Sequence, residues 1–125
     1  MYLKSVIIIM LNQLISLGKD ILQGKPAHLR SSKWPEVRKK WLETNNSCAA
    51  CGCKNNLQIH HCIPFHLDRS KELDPTNFIT LCEGKGGRED HLMIGHLGNW
   101  KSINPDVRFQ AAANLAKINN LNNKV

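Results

Sequence analysis

Long apolar runs are missing from this sequence of 125 residues: the longest, Val6–Leu11, spans six residues before Asn12 and Gln13 interrupt it. A membrane span needs about 20. No small-residue cleavage site follows the run either, so a secretory leader fits no better and a cytoplasmic protein with no membrane association is expected. Internal repeats and low-complexity tracts are also absent, apart from a polar end, NNLNNKV, that reads as frayed. Acidic residues are in deficit, 10 against 17 Lys plus Arg, for a net charge of +7. That balance points to a polyanionic partner, nucleic acid or an anionic membrane surface. An even cysteine count is lacking too: the five thiols do not make a fully paired disulfide framework, and they read as reduced and ligating. With 42% apolar and 22% charged residues, the chain has the composition of one folded domain, or of a small core with helical flanks.

What is present is concentrated. All five Cys (48, 51, 53, 62 and 82) and five of six His (60, 61, 66, 91 and 96) lie between Cys48 and His96. Before them, Leu3, Ile7, Met10, Leu11, Leu14, Leu17 and Ile21 recur at helical spacing, an apolar stripe for packing on a core or a partner. This helix should stop at Gly24, ahead of Lys25-Pro26. Ser31 or Ser32 can cap a second helix that tolerates Pro35 in its first turn and aligns Trp34, Val37 and Trp41. CAACG at 48–52 reads as a metal knuckle. LQIHHCI at 57–63 alternates as a strand ended by Pro64, 65–76 is loop-like, and 78–81 forms a second strand. EGKGGRED reads as a solvated connection to a short helix over Asp90–Leu97, closed by Gly98. Asp106 can cap a final helix through about Asn119, with Val107, Ala111, Leu115 and Ile118 on its apolar face. The order is ββα with flanking helices, an α+β chain.

The middle segment of about 50 residues is too small for a self-sufficient apolar core, and a structural metal can replace the missing burial. Cys48 and Cys51 offer one half-site and Cys82 a third thiolate. Asp90 or His91 is the first choice for the fourth ligand, with Cys53 if the knuckle is read differently. Cys62 reads as a small buried apolar residue.

The ordered set CAAC, LQIHHCIPF, DPTNFITLC and DHLMIGHLGNWKSINPDV, preceded by KWPEVRKKWLE, resembles the HNH endonucleases of the ββα-metal class over about residues 33–107. The resemblance implies metal-dependent hydrolysis of phosphodiesters, usually in DNA, on a small ββα-metal core with a zinc knuckle. It implies His61 as general base, His60 and His91 as ligands of a catalytic divalent ion, and Asn77 as the residue that fixes the loop and orients the base. Mg, Mn, Ni and Zn all suit imidazole and substrate-oxygen ligands. Where the family pattern often has Cys-His, this chain has Asp90-His91, so the fourth thiolate is missing and a structural zinc on Cys48, Cys51 and Cys82 is expected to be weaker, completed by Asp90, or absent. The implied organisation is an amphipathic helix and linker over 1–32, a nuclease domain over 33–107, and a helix with polar tail over 108–125.

Two geometric expectations follow. Strand alternation sends His60 and His61 to opposite faces, so their approach to one phosphate asks for a bulge or a strong twist. His91 and His96, five apart, do not share a face of a regular helix, which leaves His96 as a phosphate contact or a structural histidine. Arg38, Lys39, Lys40 and Lys101 are the other candidate DNA contacts, while Trp34, Trp41 and Trp100 read as packing residues. The charge is uneven: +5 over 1–47, zero over 48–105 and +2 over 106–125. The alternatives are a catalytically inactive zinc-stapled DNA-binding module, and an oligomer or protein partner engaged through residues 3–22.

Overall fold

Two alternating pentapeptides organise the chain. Leu57–His61 (β1) and Phe78–Cys82 (β2) pair antiparallel in an unbroken register from Leu57 opposite Cys82 to His61 opposite Phe78. The computed structural model describes residues 2–22, 29–84 and 88–123. Among them, the order is helix α1 (Tyr2–Leu22), helix α2 (Trp34–Thr44), β1, 3-10 turns at Arg69–Lys71 and Pro75–Asn77, β2, a π turn at His91–Gly95, and helix α3 (Val107–Asn123). The chain is thus α+β around a two-stranded sheet. The expected end of the first helix at Gly24 lies outside the described residues, as does the centre of the glycine-rich connection.

The sheet is covered on both faces, as its period of two requires. On one face Ile59 and Phe78 pack with Trp34 of α2, with Val37 and Trp41 against them. The Trp41 indole N–H donates to Thr80 Oγ1 at 3.0 Å, and that hydroxyl donates to the Asn45 carbonyl. On the other face Ile79 and Leu81 join Cys48, Ala50, Cys82, Val107 and Ala111, so the knuckle and α3 close the second core.

Several ends differ from expectation, each for a local reason. Ser31 does not cap α2, because the helix begins at Trp34 with Lys33 at its N-cap, and the Ser31 Oγ accepts from Lys33 N ahead of the first turn, while the Ser31 N–H donates to the Glu72 carboxylate at 2.8 Å. β1 stops at His61 rather than Ile63, because the Asn77 side chain binds both the N–H and the carbonyl of Ile63. Asp68 and Asp74 cap turns in the stretch read as loop, each accepting from the N–H two residues on. Buried Asn104, rather than Asp106, braces the start of α3, bonding the Ile94 carbonyl, Gln110 and the Asp106 N–H. α3 continues to Asn123, into the end read as frayed.

The stripe on α1 is the larger correction. Ile7, Met10, Leu11 and Leu14 are between 49% and 58% exposed, so the expected packing on a core is not made within the described chain. The reason is that α2 on one side and the knuckle with α3 on the other already cover both faces of the sheet. No described helix is long and apolar enough to cross a membrane. Leu81→Ala should cost about 2–5 kcal/mol in chemical denaturation, because Leu81 is fully buried, whereas Leu14→Ala should change stability by no more than about 0.5 kcal/mol.

Candidate functional site

The knuckle is built by its backbone. Cys48 N–H donates to the Cys53 carbonyl and Gly52 N–H to the Cys48 carbonyl, both at 2.8 Å, with Gly52 at φ +78°, a conformation that glycine adopts without strain. The turn aims Cys48 and Cys51 at Cys82, which ends β2, and at Asp90, which opens the π turn. Asp90 Oδ2 lies 3.3 Å from Cys48 Sγ and 3.4 Å from Cys82 Sγ, and the Cys51 and Cys82 sulfurs are 3.8 Å apart. Four thiolates about 2.3 Å from a tetrahedral zinc would be about 3.8 Å from one another, so the cluster has the dimensions of such a site. Backbone N–H groups of Ala50 and Cys82 point at Cys48 Sγ, 3.4 Å away in each case, which suits a thiolate. Burial pushes the Cys82 thiol up to about 11 and that of Cys51 higher still, so taking up an ion here would release protons. Cys48, Cys51, Cys82 and Asp90 are therefore positioned to bind a metal ion such as zinc. Cys53 stays outside, its Sγ directed at the Asn55 carbonyl, and Cys62 packs half-buried against the core.

A second group faces the other way from the same turn. His60, His91 and His96 bring a ring nitrogen each within 4.8 Å of one another. The centroid of the His60 ring lies 5.2 Å from that of His91 and 4.7 Å from that of His96. The expectation that His91 and His96 diverge fails because the turn between them is π rather than α: residues five apart then succeed one another on the same side. Their rings are 5.0 Å apart. His96 Nδ1–H donates to the Ser102 carbonyl at 3.0 Å, and His91 Nδ1 lies 3.3 Å from Glu83 Oε1, contacts that in a neutral ring leave the lone pair on Nε2. His60 is 2% exposed, and neither of its ring nitrogens has a hydrogen-bond partner among the described residues. Burial first, then the neighbouring His91 and His96, pushes its imidazole down to about 2. A buried imidazole with two unmet nitrogens beside two others is what an ion would satisfy. Gly95 makes the approach possible: a Cβ there would stand 3.0 Å from His60 Nδ1 and 3.2 Å from His91 Cδ2.

His61 turns to the α2 face, its ring 5.0 Å from Trp34 and 5.2 Å from Phe78. Its Nε2–H donates to the Glu72 carbonyl at 2.8 Å, leaving the lone pair on Nδ1. Burial holds the imidazole near 4, against the opposing pull of that hydrogen bond, so the ring is neutral at neutral pH. The expected bulge is absent, since the β1 register is continuous through both histidines. Both nevertheless line one cavity of about 110 Å³, together with Ile59, which precedes them on the face of His61. Among the described residues β2 is the one strand paired to β1, and His60 and His61 stand at the end of β1, so residues from both faces can reach one cavity around its free edge and end. Asn77 secures the chain beyond that edge by bonding Ile63 on both sides and donating to the Lys71 carbonyl at 3.1 Å.

The cationic candidates separate. Lys101 lines the cavity, Lys39 and Lys40 are exposed on α2, and half-buried Arg38 donates to the Leu57 carbonyl at 3.2 Å, a structural bond. Trp34 and Trp41 sit in the core as expected, whereas Trp100 stands edge-on to His91 as a wall of the imidazole cluster. Sequence reasoning missed Arg30, which lies over the Trp34 and Phe65 rings at the cavity, and missed Glu72, Glu83, Gly95 and Ser102. A glycine before a histidine was the one signal available; the others are set by tertiary contact alone.

Chelation should unfold or sharply destabilise the protein, followed as Tm against total metal by mass spectrometry, and Asp90→Ala should lower the retained metal without abolishing it. Gly95→Ala should weaken ion binding at the imidazoles while leaving the four-donor cluster loaded, as metal titration would reveal. No family model matches the chain, and neither a curated protein nor a solved structure matches it.

Proposed function

We propose that this chain is a metal-dependent endonuclease of the HNH type, hydrolysing phosphodiester bonds in DNA on a ββα-metal core stapled by zinc. The observation that carries the reading is His60, buried with both ring nitrogens unmet and facing His91 and His96 on a cavity that His61 also lines. In this reading β1, β2 and the π turn form the ββα unit. Cys48, Cys51, Cys82 and Asp90 hold the zinc, and His60, His91 and His96 hold a catalytic divalent ion. His96 is thus a ligand in this reading and not a phosphate contact.

A divalent ion there supplies positive charge against the charge that develops on the phosphate and the departing 3′ oxygen. The chain's own residues do the rest. His61 is neutral and presents Nδ1, because Nε2–H is committed to the Glu72 carbonyl. Nδ1 accepts the proton of the attacking water, and general-base catalysis of this kind is worth about 10²–10⁴-fold. Asn77 keeps the chain after β1 from swinging across the cavity. Arg30 and Lys101 add positive charge at its walls, where a phosphate would enter. Lys39 and Lys40 offer further, sequence-independent contacts to the DNA backbone.

The test is plasmid cleavage with Mg or Mn by wild type and by His61→Ala. The variant should lose about 10²–10⁴-fold in rate while keeping its metal content. Equal cleavage by the two proteins, after rigorous purification, removes the reading.

A further inference from the structure

An imidazole that is to hold an ion must itself be held in place, and His91 has little support from its own element. Its ring sits on a single π turn, a short element with little stiffness of its own, and it must keep one nitrogen aimed at His60 and His96. The carboxylate beside its Nδ1 belongs to Glu83, at 3.3 Å, with side-chain exposures of 11% for His91 and 20% for Glu83. Glu83 is itself anchored: its backbone N–H donates to the Asn56 carbonyl at 2.9 Å, and the residue before it, Cys82, is fully buried in the four-donor cluster. The residue before His91 is Asp90, a donor of that same cluster. Two adjacent pairs, Cys82-Glu83 and Asp90-His91, therefore each send one side chain to the four-donor cluster and the other to the Glu83–His91 contact. That arrangement fixes both ends of the contact from one point.

We propose that Glu83 is the positioning residue of the imidazole site: its carboxylate accepts the Nδ1–H of His91, fixes the tautomer and holds Nε2 toward the ion. The proposal rests on the reading that His60, His91 and His96 hold a divalent ion. A carboxylate on the far nitrogen of a ligating imidazole orients the ring and raises its basicity, and loss of such a partner costs about 10–100-fold in metal affinity. In this role Glu83 touches neither substrate nor ion and acts on the site through His91.

The experiment titrates cobalt(II), as the probe, into the full-length zinc-loaded chain and its Glu83→Gln and Glu83→Ala variants. Zinc content is measured throughout, and the absence of thiolate-to-cobalt charge-transfer absorption shows that cobalt has not displaced zinc. Both variants should keep their zinc and their Tm yet bind cobalt about 10–100-fold more weakly. In imidazole ¹⁵N spectra of the zinc-loaded chain, His91 should be the Nδ1–H tautomer in wild type and lose that preference in Glu83→Ala. Unchanged cobalt affinity in both variants, or an unchanged His91 tautomer, overturns the role of Glu83 while leaving the site intact. Loss of zinc from both variants also overturns it, since Glu83 would then support the four-donor cluster instead. A wild-type chain that takes up no cobalt at the imidazoles overturns the site itself and Glu83 with it.

Discussion

Convergence of Cys48, Cys51, Cys82 and Asp90 on one point is the constraint from which the rest follows. The four donors come from a turn, a strand end and the start of a π turn, three segments that also share the second apolar core, with the Ala49 N–H to Thr80 carbonyl bond joining the first two. A sheet of two five-residue strands is marginal by itself, and few large side chains are fully buried: Phe78, Leu81 and Val107 are the largest apolar ones without sulfur. An ion held by thiolates contributes roughly 10–16 kcal/mol of apparent binding energy, available only to the folded arrangement. Closing the cluster would set the position of β2 against the knuckle and the position of the π turn against β2. His91, next to Asp90, would take its place from it.

The sheet then divides the labour between its two faces. Alternation along β1 gives one face His60, beside the π turn, and the other His61, against Trp34 and Phe78. Because β1 has an unpaired edge, the two faces meet in one cavity without a bulge. A wider sheet would have separated the two rings. The neutral middle of the sequence fits this arrangement: in the proposed nuclease, bound ions bring positive charge to the scissile phosphate, and the basic flanks hold the rest of the backbone.

Local chemistry was legible in the sequence, and tertiary chemistry was not. The knuckle could be read because two thiols flanking a tight turn have few other uses. Asn77 could be read as a loop anchor because an Asp-Pro-Thr-Asn turn already fixes its backbone. Asp90 stood out as the odd member of a cysteine set, and it lies among the three thiols. The expected divergence of His91 and His96 fails for one reason, the assumption of α geometry between residues 91 and 96. Ser31 failed as a cap because α2 begins later, at Trp34, and the serine Oγ is engaged by Lys33 N before the first turn. Glu72, Glu83, Arg30 and Ser102 have no local signature, since each acts through a partner distant in sequence or through its backbone. The α1 stripe was read correctly as apolar and helical, but no periodicity reveals that the sheet has no face left to receive it.

The π turn carries an implication for how such a site can change over generations. On an α-helix two ligands sharing a face stand four apart; on a π turn they stand five apart, so the one is the other with a residue inserted. A single-codon insertion or deletion between His91 and His96 could therefore be absorbed by switching helix type, leaving the pair of imidazoles together. What lineage must keep is the face, with a small residue where Gly95 meets His60, and the spacing is free to drift by one.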